Sequence, residues 1–361
     1  MHSAASARPS RRGTEPTPGL PIGLLTFLLS LGTGILWNAL FFIAKSQYGF
    51  DEAKSLWLAF GMGVLYTVVA FNAGRMVRAL ERRVSPRATL GLLLLVQAAL
   101  APLVLIPNEI VLWITAIVMT GFGALQWPIV QHYLVSGRHG PEMRNAIGWW
   151  NASWMASTAV GHAVAGPLER YGLAAWAIPA MLPVNLLAFA CLAWFPAQPP
   201  AHDAELHARH VPPSYGPLLR AARVLHPLGY LVIGALAPIL PYLFTNLHTS
   251  ESLQAPIGST WHVARLLAVL ILWKTAFWHG RGATLVVAGG LLSLGFATAV
   301  MAPSEGVLMI ALVAVGLGQG TIYYNAIYYG LAVGAAEVDA GGIHEALVGA
   351  GYFMGPAIGL A

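Results

Sequence analysis

Charged side chains in the middle of long apolar stretches are the residues of this sequence best suited to chemistry. Arg265 stands in WHVARLLAVLILW, and Glu345 stands in GGIHEALVGAG. An ionised side chain in apolar surroundings is costly, so it normally faces a cavity, a partner of opposite charge or a ligand. Two interpretations of Arg265 stay open: an ion pair with Glu345, or the binding of an anionic ligand. Glu345 is also the candidate for proton coupling.

Amide and aromatic side chains recur in the same apolar stretches. Gln319 and Tyr323 are four residues apart, so they share one face of a helix. Aromatic faces beside amides suit a ligand with an apolar face and polar edges, such as a sugar, a nucleoside or a small drug-like molecule. An aromatic belt at the membrane surface is the alternative for the tyrosines. The predicted substrate-binding residues are Trp37, Asn38, Gln126, Gln131, His132, Asn151, Arg265, Gln319, Tyr323 and Asn325.

The elements that position these residues are predicted to be membrane-spanning helices. The chain is 57% hydrophobic and only 9% charged, whereas a soluble domain carries roughly 25% charged residues. So few charges cannot cover a surface in water, which makes the lipid bilayer the solvent. The net charge of +5 therefore does not indicate nucleic-acid binding. Cys191 is the single cysteine, which excludes an intramolecular disulfide.

Eleven apolar segments are long enough to cross the hydrocarbon core as helices, and none alternates like a barrel strand. The segments lie at about residues 20–45, 54–77, 87–106, 110–135, 146–168, 173–195, 219–243, 257–278, 283–302, 306–331 and 342–361. We therefore predict an all-α integral membrane protein with two pseudo-symmetric bundles of six and five transmembrane helices.

The distribution of lysine and arginine predicts the orientation in the membrane. With the N-terminus inside, only Lys45, Lys54 and Arg170 fall in outside segments, and most other basic residues fall inside. We predict a multi-pass protein of the bacterial inner membrane with a cytoplasmic N-terminus. The predicted domains are a disordered cytosolic tail at 1–19, a six-helix bundle at 20–196, a cytosolic linker at 197–216 and a five-helix bundle at 217–361.

An internal repeat relates the two bundles. Three short matches occur in order at an offset of about 195 residues, namely Gly121 with Gly316, Arg87 with Gly282, and Gly161 with Gly355. Two parallel halves place a binding site between them, near the middle of the membrane. By this repeat the last segment corresponds to the fifth of the first half. We therefore expect the chain to be a fragment or truncated product that ends one helix short of a twelve-helix protein.

Two helical halves joined by a linker resemble the major facilitator superfamily of secondary transporters, over nearly the whole chain. The stretch GRMVRALERR resembles the family motif GxxxD(R/K)xG(R/K)(R/K) between the second and third helices. Three positions match, whereas arginine replaces the acid and glutamate replaces the later glycine. The resemblance implies a gating loop, with a solvated basic loop as the alternative, at Gly74, Arg78, Glu81, Arg82 and Arg83.

A second family motif, GxxxGPxxG, is complete in the eleventh segment at Gly351, Gly355, Pro356 and Gly359. Small residues let helices approach closely, so we interpret it as a packing motif. The resemblance implies alternating access, in which two halves rock around a cavity lined by the first, fourth, seventh and tenth helices. It also implies a small-molecule substrate and a monomer in the lipid bilayer. Protons are one candidate coupling ion, and a facilitator is the other interpretation.

No catalytic residue, metal site or cofactor is predicted. The sequence HEALV differs from the zinc motif HExxH because Val348 replaces the second histidine. Two alternatives to transport stay open: a membrane-embedded enzyme using His132, His162 or His262, and a transport-inactive receptor or scaffold of similar fold. The enzyme is disfavoured because Glu345 is the one carboxylate in the predicted cavity helices.

Overall fold

The computed structural model describes residues 15–202, 205, 210–333 and 338–361. Residues 1–14 of the predicted tail lie outside the described residues. So do residues 203–204 and 206–209 of the predicted linker, and residues 334–337 before the last helix.

Eleven helical segments make up the described chain. Those of the first half are α1 Gly19–Tyr48, α2 Glu52–Glu81, α3 Pro86–Leu105, α4 Glu109–Val135, α5 Gly140–Ala163 and α6 Ala174–Trp194. A short helix, Ala165–Arg170, follows α5. Those of the second half are α7 Tyr215–Asn246, α8 Glu251–Lys274, α9 Ala283–Val300, α10 Glu305–Val333 and α11 Val338–Leu360.

Nine of these segments are long and apolar enough to cross a membrane, within the described residues. The other two, α5 and α11, have the length of a span but are more polar. Large apolar side chains such as Phe71, Val286 and Leu294 are 71%, 76% and 72% exposed on the outer surface, where lipid is the favourable solvent. The prediction of an all-helical, multi-pass integral membrane protein is confirmed.

Helix ends and bends follow from local sequence. Asp51 and Ser85 cap α2 and α3 by accepting hydrogen bonds from the backbone N–H groups of Lys54 and Ala88. α1 contains one π-helical turn, Ile35–Ala39. Two of the predicted substrate-binding residues, Trp37 and Asn38, lie in this widened turn. α7 contains three prolines in its interior, Pro227, Pro238 and Pro241, and each removes a backbone donor from the helix.

The two halves are built on equivalent helix contacts. α1 packs on α5 in the first half, and α7 packs on α11 in the second. Glycines permit both contacts: a Cβ on Gly161 would lie 2.4 Å from the Leu31 carbonyl oxygen, and one on Gly355 would lie 2.3 Å from that of Leu231. Between the halves, α2 packs on α11 and α5 packs on α8. A cavity lies between these two inter-half contacts.

Candidate functional site

The central cavity, as we name it, lies between the halves and contains about 530 Å³ of space outside the atoms. The first half lines it mainly with tryptophans, and the second half lines it with tyrosines and charged groups. Its residues are Thr33, Trp37, Asn38, Tyr66, Trp127, Trp150, Trp154 and Thr158 from the first half, and Tyr230, His262, Arg265, Tyr323, Glu345, Val348 and Tyr352 from the second.

Arg265 on α8 lies in an aromatic cage at one side of the cavity. Its side chain is only 2% exposed, and it donates a hydrogen bond of 2.7 Å to the Tyr230 hydroxyl. The guanidinium carbon lies 4.3 Å from the ring centroid of Trp154 and 4.8 Å from that of Tyr323. These distances are within the range of cation–π attraction. The cage therefore holds the guanidinium in a buried place, and no carboxylate of the described residues forms an ion pair with it.

Glu345 on α11 joins the two halves through hydrogen bonds. Its Oε2 accepts from the Tyr66 hydroxyl on α2, and its Oε1 accepts from the Gln131 side-chain amide on α4, both at 2.6 Å. The carboxyl group is 4% exposed and faces the central cavity. A protonation change at Glu345 would alter two bonds that hold the second half to the first.

Arg265 and Glu345 do not form the ion pair that was one interpretation of the sequence. The described residues contain three ion pairs within 4.0 Å, and none of them joins these two side chains. Tyr230 and the aromatic rings occupy the surroundings of Arg265, whereas Tyr66 and Gln131 occupy both oxygens of Glu345. The structure brings the two charges to one cavity but gives each its own partners.

Four of the predicted substrate-binding residues line the central cavity. They are Trp37, Asn38, Arg265 and Tyr323. Trp37 stacks on Tyr352 with 4.0 Å between ring centroids, so an α1 ring and an α11 ring form one wall. The Asn38 Oδ1 atom is buried and has no hydrogen-bond partner among the described residues. It is therefore an acceptor that a ligand in the cavity can satisfy.

The other predicted residues lie around the cavity. Asn151 accepts a hydrogen bond of 2.9 Å from Trp154 and thereby orients the ring over Arg265. Gln131 is bonded to Glu345, as described. Gln319 packs on α7 beside Gly229.

Three predicted residues are directed elsewhere. Gln126 donates to Gln97 on α3 inside the first half, and Asn325 donates to the Thr321 carbonyl oxygen one turn earlier. His132 is half-buried near the end of α4. Direct substrate contact at these residues stays a prediction without a cavity position to support it.

The predicted gating loop contacts the second half through a salt bridge in which the loop supplies the basic residue and not the acidic one. Arg78, at the position where the family motif has an acid, pairs with Asp339 on α11 at 2.8 Å. The Gly74 backbone lies directly against the same carboxylate. Glu81, Arg82 and Arg83 lie at the end of α2 and beyond it, and the three described ion pairs do not include them. The acid of this inter-half contact is thus on α11.

The glycine motif of α11 packs against two helices. Gly351 and Gly355 lie against the α7 backbone, at Pro227 and Leu231, and Gly359 lies against the Leu56 side chain of α2. Pro356 is buried within the helix.

The halves touch on both sides of the central cavity. On one side, which we call the basic face, lie the Arg78–Asp339 pair and a hydrogen bond of 3.0 Å from Trp273 on α8 to Asn145 on α5. On the opposite face, the Tyr242 hydroxyl of α7 lies 2.9 Å from the Ser55 hydroxyl of α2. The cavity is therefore enclosed by contacts that differ in kind at its two ends.

The cavity uses more helices than the family resemblance implied. Besides α1, α4, α7 and α10, it receives side chains from α2, α5, α8 and α11. Tyr66 and Tyr230, which hold Glu345 and Arg265, were missed. A tyrosine in an apolar helix resembles a residue of the interfacial belt, so the sequence carries no separate signal for it.

Comparisons with known proteins agree with this architecture. The family model described as Major Facilitator Superfamily matches residues 22–359. The chain belongs to the major facilitator superfamily. Among curated proteins, none matches the chain in sequence.

Solved structures of superfamily fold are similar to the chain over most of its length. The crystal structure of the nucleoside transporter NupG has a TM-score of 0.64 at 11% identity, over 94% of this chain and 89% of that one. A point mutant of the same transporter has a TM-score of 0.67 at 11% identity, over 94% and 90%. At this identity the likeness is one of fold. Membership of the superfamily makes the protein a transporter of a small solute that works by alternating access, in a family that is typically non-enzymatic.

Proposed function

We propose that the central cavity is the substrate site of this transporter and that rocking of the halves exposes it to either side of the membrane in turn. The observation that carries the proposal is the position of the cavity. It lies between the halves, it contains both buried charges described above, and inter-half contacts enclose it at both ends. A site in that position is exposed on one side when one set of contacts opens.

The walls indicate the kind of substrate. Five aromatic side chains of the first half face three tyrosines of the second, with hydroxyl, amide and charged groups between them. A small molecule with a planar or apolar face and hydrogen-bonding edges suits such walls. Sugars, nucleosides and small drug-like molecules meet this description. NupG is a nucleoside transporter, which makes uridine a sensible first probe.

The proposal also includes the orientation of the protein in the membrane and the coupling of transport to protons. The arginines of the basic face favour a cytoplasmic N-terminus in a bacterial inner membrane. Glu345 is the proposed proton-binding group, because it is a buried carboxyl that faces the cavity and bonds across the halves. The buried charges are accounted for by binding and coupling, so no enzymatic role is proposed. The protein works as a monomer, since a single chain supplies both halves of the cavity.

Replacement of a cavity tryptophan tests the proposed site. Trp37→Ala removes the ring that stacks on Tyr352, so it should abolish saturable uptake into proteoliposomes of whichever probe the wild type transports. Uridine, glucose, orotate and nicotinate form the first panel of labelled probes. Trp57→Ala is the matched control, because Trp57 lies on the outer surface of α2 and is 52% exposed. It should keep the wild-type rate within about twofold, as surface substitutions usually change little. Equal uptake by the two variants, at equal incorporation, would remove the central cavity from the substrate path.

A further inference from the structure

The charges that face the central cavity form an unusual set: a caged cation, a separate carboxyl group and no ion pair between them. Arg265 lies in the cavity wall and contacts aromatic rings and a neutral hydroxyl. Its Nε atom is buried and has no hydrogen-bond partner among the described residues. A guanidinium has five N–H donors arranged as a planar fork, which matches the two oxygens of a carboxylate.

Arg265 is therefore prepared to bind an anion. Aromatic rings hold a cation by its faces and leave the edge of the guanidinium, where the N–H groups lie, available to a ligand. A structural arginine at this depth would be expected to have a carboxylate against it, because an unpaired buried charge is strongly unfavourable. The one buried carboxyl group on the same cavity, that of Glu345, is bonded instead to Tyr66 and Gln131.

On this ground we infer that the substrate is a small organic anion with a planar body and a carboxylate, and that it crosses together with one proton carried by Glu345. The inference rests on the proposed function, since it takes the central cavity as the substrate site. The substrate carboxylate binds the Arg265 guanidinium, and its planar body lies between the tryptophans and tyrosines of the walls.

Charge balance gives the number of protons that cross with each anion. With Glu345 ionised in the empty cavity, its negative charge and the positive charge of Arg265 sum to zero. Entry of one anion would leave a net negative charge in a low-dielectric space, which is unfavourable. Uptake of one proton from water by the Glu345 carboxylate restores the sum to zero. Release of the anion and the proton on the other side of the membrane returns the protein to its initial state, so each cycle moves no net charge.

The groups around Glu345 allow it to be the one that changes its proton. The ionisable side chains that face it are Tyr66 on α2, Tyr230 on α7, Arg265 on α8, Tyr323 on α10 and Tyr352 on α11. From α4 it meets Gln131, which does not titrate. Among these neighbours Glu345 is the carboxyl group. The cavity also holds one imidazole, that of His262 on α8, which packs against the rings of Trp261 and His162.

Pairs of acidic and neutral probes of similar shape test whether the substrate is an anion. Binding to the purified full chain is measured by thermal shift with orotate against uracil, nicotinate against nicotinamide, and phenylacetate against phenylacetamide. We expect at least one acid to bind at least tenfold more tightly than its neutral partner. Arg265→Gln should remove that preference and keep the neutral binding. The control Arg220→Gln replaces an exposed arginine of α7 and should keep the preference.

The outcomes separate this inference from the proposed function. If uridine or another neutral probe binds, loses its binding in Trp37→Ala and binds equally well in Arg265→Gln, the cavity is the substrate site and the anion inference is wrong. Failure of every acid to bind better than its partner also overturns it. If an acid binds equally to Trp37→Ala and Trp57→Ala, the proposed site itself is wrong.

Measurement of proton uptake tests the second part of the inference, that one proton crosses with each anion. In weakly buffered solution with a pH-sensitive dye, addition of the acid that binds should make the wild type take up about one proton per anion bound, as the charge balance requires. Glu345→Gln should still bind the acid and take up none. In proteoliposomes, uptake by the wild type should rise with an inside-alkaline gradient and should not respond to a potential set with valinomycin and potassium. Proton uptake by Glu345→Gln equal to that of the wild type, or transport driven by potential alone, would overturn the inference.

Discussion

At the scale of single residues, the molecule separates two charges that the sequence suggested as partners. Arg265 is held by rings and by Tyr230, and Glu345 is held by Tyr66 and Gln131. The hydroxyl of one tyrosine and the amide of one glutamine thus connect the second half to the first at the level of the cavity. Any event that changes the charge of Glu345 acts directly on that connection.

Removal of the Tyr66 hydroxyl should weaken coupling without emptying the cavity of its aromatic wall. A hydrogen bond to a charged group contributes about 1.5–3 kcal/mol, so Tyr66→Phe should reduce the rate of gradient-driven uptake about tenfold or more. Tyr352→Phe is the matched control, because it removes a hydroxyl from the same cavity and leaves both bonds to Glu345 in place. Uptake into proteoliposomes with an imposed pH gradient is the measurement. Similar rates for the two variants would show that the Tyr66–Glu345 bond does not serve coupling.

How far the sequence predicts the site depends on the kind of side chain. Arg265 and Glu345 were identified because a charge in an apolar helix has few alternatives to a cavity. The hydrogen-bond partner of each charge was not identifiable, since it depends on how the five helices that carry these side chains are rotated, which only packing determines. Gln126 shows the same limit: its amide is as polar as that of Gln131, but its face of α4 meets Gln97 inside the first half.

At the scale of helices, apolar runs predicted the elements well, and the ends followed local signals. The predicted fourth span, residues 110–135, corresponds to α4 at Glu109–Val135. The fifth was predicted at residues 146–168, but α5 begins at Gly140, because its polar first turns contact protein as well as water. The apolar pattern identifies segments that lipid surrounds, and it is weaker for segments that other helices surround.

Glycines fix how closely the equivalent helix pairs approach. A Cβ on Gly355 would lie 2.3 Å from the Leu231 carbonyl oxygen and 2.5 Å from the Ala235 nitrogen, and backbone atoms cannot move aside easily. Gly355→Ala should therefore lower the free energy of unfolding by about 1–3 kcal/mol. Gly330→Ala in α10 is the control, because a Cβ there meets nothing within 4 Å. The control should be neutral or slightly stabilising, by up to about 1 kcal/mol, since alanine is the better helix former.

The measurement is the melting temperature of both variants in the same detergent. A melting temperature of Gly355→Ala equal to that of Gly330→Ala would show that α7 and α11 separate without cost, contrary to the close contact described.

At the scale of the whole molecule, two halves meet on both sides of one enclosed space. The basic face is held by a salt bridge and an indole hydrogen bond, and the opposite face is held by hydroxyl and carbonyl contacts. Exposed contacts of these kinds are each of small energy. Either set is therefore able to open while the other stays closed, as alternating access requires.

A covalent link between α2 and α11 should stop the cycle. A Cβ on Gly342 would lie 3.7 Å from the Cβ of Ala73, a separation suited to a disulfide. In a Cys191→Ser background, Ala73→Cys with Gly342→Cys should lose transport on oxidation and regain it on reduction. Each single-cysteine variant is the control and should transport under both conditions. Normal uptake by a protein whose cross-link is confirmed by mass spectrometry would show that the halves need not separate on the basic face.

The modest hydropathy of α5 and α11 bears on how the chain reaches the membrane. These two helices carry buried polar groups, including Asn151 and Glu345, and other helices shield them from lipid. During synthesis, however, a helix emerges before its later neighbours exist. Insertion of α5 as an isolated segment is unfavourable, so it should depend on α1, already in the bilayer, to cover its polar face. α11 should depend in the same way on α2 and α7. The order of the helices along the chain thus serves biogenesis, because α1 is translated before α5, and α2 and α7 are translated before α11.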